Sequence, residues 1–490
     1  MDGMSEQSQP SLLPFVAAQP LADHHCHGVF RAGADGHQPE SGPLNLAGLL
    51  NEADGAAVAD GTPFDSLAGF ALRRWCPPLL GLPPHADAAA YTERRAALGG
   101  DEVNRRFLSA SGLAALCVDT GYAPAGLHTP GETASFAGAT AFEVVRLEQV
   151  AESLARSGVR PADFPDAYRK ELSERVSAPS FGSTVVGFKS IAAYRVGLEL
   201  DGRRPTDAEV TAAVARWLAS SDEGRSAGGA DGTPPRLADE VLHRFFVWCG
   251  ADLGRPVQFH VGYGDRDIDL HRCNPLLLTG LLRALEPTGA PVMLLHNYPY
   301  HREAGYLAQV FPHVYADLGL ATHNVGARAT ALLGEALELV PMRKFLFSSD
   351  AFGLPELYYL GTLLFRRALS EFLSARLDAD DMSYADAERV TRLIGAENAS
   401  RAYRLPALLE AAGAGHVLRG CLAGVRGGDA GPLEVRHVDG RGAGRGGGRV
   451  QRGQELRPAL VVGQHRGELG LQVGGRAAGD VARWERGKAN

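Results

Sequence analysis

Short apolar runs recur along the chain, separated by longer segments in which apolar residues follow a helical period. The cores of these runs are continuous rather than alternating, which is typical of strands buried on both faces of a parallel sheet. They predict strands at residues 113–118, 142–147, 183–189, 256–261, 291–296, 313–318 and 344–349. With one further strand near His25, the pattern predicts about eight strands.

Helical segments fit between these strands, at residues 147–157, 205–219, 238–250, 274–285, 303–310 and 327–340. Repeated strand-then-helix units predict an α/β fold, a (β/α)8 TIM-like barrel. Residues 44–112 are predicted as a helical insertion, broken by proline pairs at 77–78 and 83–84 because proline lacks the backbone donor. The longest connection between predicted strands joins the fourth strand to the fifth. Its part at 220–235 is rich in Gly, Ser and Asp, which predicts a flexible surface loop.

The first strand is expected to carry Asp23-His24-His25-Cys26-His27, which follows an apolar run at residues 12–15. If this stretch is a strand, His25 and His27 leave the same side of the pleat about 7 Å apart, so two neutral imidazoles can meet at one cation. His24 and Cys26 would then point to the opposite side, where Cys26 would pack as a small buried residue. Taken alone, the motif is equally compatible with a polar strand end.

The composition changes after residue 405. Residues 411–490 are rich in Gly and Arg and contain no Phe, Tyr, Ile, Ser or Thr, so they are predicted to form a disordered, low-complexity C-terminal tail. The predicted organisation is therefore a flexible N-terminus at 1–11, a barrel domain at 12–405 and this tail at 411–490.

The 490 residues, 45% of them hydrophobic and 22% charged, are ordinary for a soluble globular protein. A net charge of -8 gives no electrostatic case for nucleic acid or an anionic membrane, and no run reaches the roughly 18 apolar residues of a membrane span. No secretory signal is recognised at the N-terminus, and the six cysteines are scattered without a CxxC pair. A reduced, cytoplasmic protein is expected.

Metal-binding side chains follow several predicted strands at their carboxyl ends, where the active site of such a barrel lies. Each residue type has a commoner role when it occurs alone: a structural hydrogen bond for histidine, a helix cap for aspartate and a surface position for lysine. Five strand ends that bring nitrogen and oxygen ligands to one mouth together predict a metal site. The residues are His25, His27, Lys189, His260, His296 and Asp350.

This order resembles the amidohydrolase superfamily, with His-x-His on the first strand, Lys on the fourth, His on the fifth and sixth, and Asp on the eighth. Four segments are similar to the amidohydrolase-related (amidohydrolase 2) domain that precedes glutamine synthetase in FluG-type and nodulin-type fusions. They are residues 258–270 (QFHVGYGDRDIDL), 298–307 (YPYHREAGYL), 349–350 and 397–403 (ENASRAY). The resemblance covers about 12–405, and since the synthetase half is absent it implies no ATP-dependent ligation.

The resemblance implies that His25, His27, His260 and Asp350 hold Zn²⁺, Mn²⁺ or another divalent ion, which lowers the pKa of water from about 15.7 towards about 7. Asp350 is then expected to accept the proton of that water, and His296 to polarise or protonate the substrate. In two-metal relatives the fourth-strand lysine, here Lys189, is carbamylated and bridges the ions, with His296 on the second. The long insertion after Lys189 favours one metal.

The expected function is hydrolysis of a C–N bond of the amide type in a small, carboxylate-bearing substrate, such as a γ-glutamyl compound. Arg195, Arg302 and Arg266 are candidate carboxylate contacts, although each could equally form a structural ion pair, and a salt bridge is favoured for Arg146. Alternatives are a non-oxidative decarboxylase, a uronate-type isomerase and a non-catalytic regulatory barrel. A serine hydrolase is disfavoured because GxSxG is absent. The sequence is also compatible with a homo-oligomer.

Overall fold

The computed structural model describes residues 12–31, 46, 48, 50–52, 62–122, 126–179, 181–220 and 234–405. All of them fall within the predicted barrel domain at 12–405. The predictions of a flexible N-terminus at 1–11 and a disordered tail at 411–490 concern residues outside this range, as does most of the predicted surface loop at 220–235.

Seven strands form one parallel sheet in which each strand pairs with the next along the chain. They are β1 Leu21–Cys26, β2 Leu113–Asp119, β3 Thr140–Arg146, β4 Val185–Ser190, β5 Val257–Val261, β6 Val292–His296 and β7 Val314–Ala316. After β7, the Leu346 N–H donates to the Ala316 carbonyl at 3.0 Å, and the His24 N–H of β1 donates to the Phe347 carbonyl at 3.2 Å. The segment at 345–349 therefore takes the place of an eighth strand and closes the (β/α)8 TIM-like barrel.

Six predicted strands are confirmed, with ends that differ by at most two residues from β2 to β7. The seventh, at 344–349, is extended but joins its neighbours through single bridges, of which one links Phe345 to Ala316. The apolar run at 12–15 is not part of the first strand, which begins at Leu21. Pro14 instead opens helix α1 (Pro14–Ala18), because proline fits the first helical turn, where its missing donor costs nothing.

Helices surround the barrel and form the insertion before β2. After α1 they are α2 Leu67–Trp75, α3 Ala88–Leu98, α4 Gly100–Ala110, α5 Pro130–Ala137, α6 Leu147–Arg156, α7 Phe164–Ser177, α8 Ala192–Arg195, α9 Asp207–Ala219, α10 Glu240–Asp252, α11 Thr279–Leu285, α12 His301–Val310, α13 Gly319–Asn324, α14 Ala329–Ala336, α15 Pro355–Asp378, α16 Tyr384–Arg392 and α17 Asn398–Tyr403. Thr206 and Glu209 form a capping box that fixes the start of α9, two residues after the predicted start.

The barrel interior is filled by apolar side chains of the strands and of α17. Tyr403 of α17 packs in the same buried cluster as Ala22, Ala115 and Val186, which lie near the beginnings of their strands. A larger apolar cluster packs the outer faces of the strands against the helices. Helix α17 thus fills the interior near the beginnings of the strands. The polar side chains of the interior lie at the opposite end, where the strands finish.

Candidate metal centre and active site

Three predicted ligands lie together where β1 and the eighth extended segment end. The Nε2 atoms of His25 and His27 lie 3.0 Å and 3.4 Å from Oδ1 of Asp350. One ligand atom from each of the three side chains lies within 4.8 Å of the other two. Two imidazoles and one carboxylate at this spacing form a donor set that fits a divalent cation such as Zn²⁺.

A shift in strand register between Asp23 and Cys26 determines where the β1 histidines point. His24 turns into the barrel interior, with Nε2 2.7 Å from Oδ2 of Asp317 and Nδ1 2.9 Å from the Tyr403 hydroxyl. The expectation that His24 points away from His25 is therefore wrong, because both belong to one interior polar network. Cys26 packs in the outer apolar cluster, as predicted.

Gln258 of β5 fixes the tautomer of His25. The Gln258 side-chain amide donates to the His24 carbonyl at 2.9 Å and to the Tyr403 hydroxyl at 2.8 Å, so its oxygen is the atom that faces Nδ1 of His25 at 2.8 Å. An amide oxygen only accepts, and Nδ1 of His25 must therefore carry the proton. The lone pair of His25 is left on Nε2, the nitrogen that faces Asp350 and can bind a cation.

Replacing Gln258 with leucine is expected to weaken metal binding by about 10–100-fold, because His25 loses the acceptor that fixes its tautomer. Metal affinity measured by competition with a chelator checks this result. Gln258→Glu keeps an acceptor for Nδ1 but loses the donor to the His24 carbonyl, so its affinity should fall between those of the wild type and the leucine variant. Wild-type affinity in the leucine variant would contradict the role of Gln258.

Burial and neighbouring groups keep His25 and Asp350 in their ligating forms. Burial, with a smaller contribution from Lys189, lowers the pKa of His25 to about 4, so this imidazole is neutral at pH 7. Burial alone would raise the pKa of Asp350, but His296 and His25 outweigh it and hold that pKa well below its usual range. A carboxylate next to neutral imidazoles is the state that a cation requires.

Lys189 reaches the same group from the end of β4. Its side chain is buried, and Nζ lies 3.3 Å from Nε2 of His25. Burial lowers the pKa of Lys189 to about 8, which increases the uncharged fraction of the amine. This position is compatible with the predicted role of a carbamylated Lys189 between two ions, which stays a prediction.

His260 lines the cavity beside the group, but among the described residues the group of three ligands does not include it. Its Nε2 donates to the Tyr263 carbonyl at 3.0 Å, which leaves Nδ1, 3.5 Å from the Tyr194 hydroxyl, as the nitrogen available to a cation. The turn after β5 requires glycine at position 264, because a Cβ at Gly264 would lie 2.8 Å from Nε2 of His260. Ligation by His260 therefore stays a prediction.

His296 faces Asp350 with a ring that is otherwise unsatisfied. Nδ1 lies 3.4 Å from Oδ2 of Asp350, and neither ring nitrogen has a hydrogen-bond partner among the described residues although the ring is buried. Burial holds the pKa of His296 well below its usual value, so the ring is neutral. A buried imidazole without partners beside the ligand group is suited to contact a substrate.

The backbone is strained where the two key strand ends meet. His296 and Asp350 adopt left-handed conformations, with φ of 69° and 51°. Such conformations in residues other than glycine persist only where the surroundings hold them, and they concentrate at functional sites. Asp317 supplies this support, accepting from the His296 N–H at 2.6 Å and from the Ser348 hydroxyl at 2.9 Å.

A cavity of about 340 Å³ opens over the grouped ligands. The predicted residues His25, His27, Lys189, His260, His296 and Asp350 all line it, as does Arg195. Further lining residues with charged or polar groups are Asn51, Glu52, Tyr122, Arg146, Tyr194, Arg236, Asp265, Asp267, His323 and Asn324. The structure therefore brings every predicted metal-site residue to one cavity at the carboxyl ends of the strands.

Arginines supply positive charge to this cavity. Arg146 donates from Nε and Nη2 to the buried Asp119 at 3.2 Å and 2.6 Å, which is the predicted salt bridge, and it also lines the cavity. Burial would raise the pKa of Asp119, but Arg146 outweighs it and holds that pKa below its usual range. Arg195 lies 3.7 Å from Glu152, and its buried Nε has no hydrogen-bond partner among the described residues.

Two of the predicted substrate contacts lie outside the cavity. Arg302 pairs at the surface with Glu338 at 2.9 Å, so the alternative of a structural ion pair applies to it. Arg266 is exposed and does not line the cavity of the described residues, whereas its neighbours Asp265 and Asp267 do. Both arginines follow strands closely in sequence, but the turn after each strand directs them to the surface.

Sequence reasoning missed several residues of the site. Gln258 precedes His260 by two positions on one strand, so the period of two that linked His25 to His27 applied to it as well. Asp119 directly ends an apolar run and could have been found by the same rule. His323 lies in α13, where it is buried and lines the cavity, and no motif in its surroundings indicated that position.

The closed parallel barrel and the histidine–aspartate group at its strand ends define the fold of a metal-dependent hydrolase. The amidohydrolase family model (Amidohydro_2) matches residues 203–405. A crystal structure from Lactobacillus casei ATCC 334, provisionally described as a metal-dependent hydrolase, is 30% identical, covers 80% of this chain and 96% of its own, and superimposes with a TM-score of 0.67. The chain belongs to the amidohydrolase family, whose members use a divalent metal and act on small molecules.

Two further proteins are similar to this chain, one in sequence and one in structure. Protein fluG of Emericella nidulans (strain FGSC A4) is 33% identical over 285 residues, which are 54% of this chain and 32% of fluG. The chain thus spans about a third of the length of that relative. A uronate isomerase from Thermotoga maritima covers 79% of this chain and 96% of its own at 13% identity, and its TM-score of 0.49 supports no conclusion about the reaction.

Among the described residues, no helix is both long and apolar enough to cross a bilayer.

Proposed function

We propose that this chain is a metal-dependent hydrolase that cleaves a C–N bond of the amide type in a small, carboxylate-bearing substrate. The observation that carries the proposal is the meeting of His25, His27 and Asp350 ligand atoms within 4.8 Å at the carboxyl end of the barrel. The 30% identity to the Lactobacillus casei protein over nearly all of that chain supports the hydrolase class.

Asp350 is assigned the role of proton acceptor. Its carboxyl group is ionised at neutral pH, and its two oxygens face different partners: Oδ1 faces the Nε2 atoms of His25 and His27, and Oδ2 faces His296. Asp350 can therefore take a proton from water beside the ligand group and hold it near His296. His296 is neutral and can donate a hydrogen bond to the substrate carbonyl or to the leaving nitrogen.

His25, His27 and Asp350 would hold the cation, with His260 as a fourth ligand through Nδ1. A divalent ion there supplies the Lewis acidity that makes water nucleophilic near neutral pH. We assign Zn²⁺ because of the imidazole-rich donor set, with Mn²⁺ as the other candidate, and a single ion because the described group has three members. A second ion would use Lys189 and His296.

Arg146 and Arg195 are assigned to bind the substrate carboxylate. Both line the cavity, and Arg195 presents a buried Nε that has no hydrogen-bond partner in the described part of the chain. A planar guanidinium binds a carboxylate through two parallel hydrogen bonds, and this geometry would orient the substrate. Arg195 keeps its predicted role in this proposal, and Arg146 takes the place of Arg302 and Arg266.

The five described cysteines are free and buried, which fits the reducing cytoplasm that we propose as the location. The residues assigned above act on a small molecule, and the proposal requires no second subunit. The oligomeric state therefore carries no part of this assignment.

The test is product analysis with the metal-loaded full chain on two substrate sets, carboxylated amides and carboxylated aromatic acids. Release of ammonia or an amine from the amides, with loss of activity after chelation and recovery on adding Zn²⁺, is the expected result. Release of CO2 from the aromatic acids would instead establish the decarboxylase alternative, in which the metal polarises a substrate oxygen. Isomerisation of a uronate, without release of either product, would establish the isomerase alternative.

A further inference from the structure

A second cavity of about 870 Å³ lies beside the first. Its walls are mainly apolar and aromatic and include Leu67, Ala68, Tyr263, Tyr298, Val325 and Leu332. Tyr263 follows β5 and Tyr298 follows β6, so this cavity lies at the same end of the barrel as the grouped ligands. Its polar side chains include His301 and Glu335, which are paired with each other at 2.9 Å.

The two cavities share part of their walls. Leu50, Asn51 and Asn324 line both of them, and Asn324 directly follows His323 of the first cavity. The Tyr263 loop joins them a second time, because the Tyr263 carbonyl accepts from Nε2 of His260 at 3.0 Å while Tyr263 lines the second cavity. The two cavities are therefore immediate neighbours, with the shared side chains between them.

The two cavities suit different chemistry. Lys189, Arg146 and Arg195 all line the first cavity, which at about 340 Å³ is at the small end for ligand sites. The second cavity is larger, and its aliphatic and tyrosine side chains favour an apolar group with a polar edge. An amide has one substituent on each side of the bond that breaks, so a carboxylated acyl part and an apolar amine part match the two cavities.

We propose that the substrate is a two-part amide: a carboxylated acyl group in the first cavity, against Arg146 and Arg195, and a larger, mainly apolar amine group in the second. This inference rests on the proposed amide hydrolysis and adds the class of leaving group. The cleaved bond lies over the His25, His27 and Asp350 group, with the amine directed past Asn324 towards the second cavity. Water adds to the carbonyl carbon, the C–N bond breaks, and the proton taken by Asp350 leaves with the amine.

The experiment measures kcat/KM of the metal-loaded full chain on succinyl, glutaryl and γ-glutamyl amides. Each acyl group is presented with ammonia, ethylamine or 2-phenylethylamine as the amine. For the acyl group that is hydrolysed, the phenylethyl amide is expected to exceed the primary amide by about tenfold or more, since filling an apolar pocket favours the transition state by that order.

Leu67 lines the second cavity, and its side chain is 43% exposed. A tryptophan at this position is therefore expected to fill the cavity with little repacking of its neighbours. It is expected to lower kcat/KM for the phenylethyl amide by about tenfold and to leave the primary amide within about twofold. Leu253→Trp is the matched control, at an exposed leucine that lines neither cavity of the described residues. Val325→Phe fills the same cavity from the residue that follows α13 and replaces Leu67→Trp if that variant does not fold.

The outcomes separate this inference from the proposed function. If amides are hydrolysed but the size of the amine has no effect, or if Leu67→Trp slows all amides alike, the two-part substrate is overturned and the hydrolase stands. If no amide of any size is hydrolysed by the metal-loaded chain, the proposed function fails and this inference fails with it.

Discussion

A variant in which both His25 and His27 are replaced by alanine is expected to hold no stoichiometric metal and to lose about three orders of magnitude in kcat/KM. Both Nε2 atoms face Oδ1 of Asp350, so their removal leaves one carboxylate where three donors met. A metal ion stabilises a hydrolytic transition state by several kcal/mol, and about 4 kcal/mol corresponds to this loss. Elemental analysis of the purified chain and assay of the amide substrate check the two parts separately.

The control for this variant is His313→Ala. His313 is also a largely buried histidine, but it precedes β7 and lines neither cavity of the described residues. Its replacement should leave metal content and turnover close to the wild type, while circular dichroism shows that each variant keeps the barrel. Stoichiometric metal in the double variant would refute the assignment of His25 and His27 as ligands.

The barrel was predictable because parallel strands buried on both faces leave a simple pattern. Each of β4, β5 and β6 consists entirely of buried residues, and each was recognised from a mainly apolar run that does not alternate between apolar and polar positions. The beginning of the chain was harder to predict. A run of four apolar residues does not distinguish a strand from a helical turn, and at 12–15 the position of Pro14 decided for the helix.

The metal-site residues were predictable for a geometric reason. Parallel strands of a closed barrel all end at the same rim, so a polar residue at a strand end must lie near the others, however far apart they are in sequence. His25 and Asp350 are separated by 325 positions and still face each other at 3.0 Å. This rule locates a residue on the rim but does not orient its side chain, so the sequence did not indicate that Nε2 of His260 faces the Tyr263 carbonyl.

Residues outside the strands could not be placed in the same way. Arg302 belongs to α12 and its direction depends on the turn after β6, whose left-handed residues no sequence pattern indicated. The tautomer of His25 depends on Gln258, whose orientation is set by Tyr403 and the His24 carbonyl, and both Gln258 and Tyr403 are distant from His25 in sequence. Such details follow from tertiary packing rather than from local preference, so they become visible only in the folded barrel.

Replacing Asp350 with asparagine is expected to lower kcat by about 10²–10⁴-fold while most of the bound metal is retained. The asparagine amide keeps an oxygen at the position that faces His25 and His27, but it cannot accept a proton at neutral pH. The backbone should not rearrange, because asparagine tolerates the left-handed conformation that Asp350 adopts at φ 51°. Metal content and kcat, measured on the same preparation, give the two quantities to compare.

Asp380→Asn is the matched control for this variant. Asp380 is also an aspartate in a left-handed conformation, at φ 60°, but it is exposed after α15 and far along the chain from the strand ends. Its replacement should change neither metal content nor kcat. If Asp350→Asn lost metal and turnover in equal proportion, Asp350 would act mainly as a ligand, and the proton acceptor would have to be sought among the other cavity residues. A large fall in kcat with the metal in place would locate that role on the carboxylate itself.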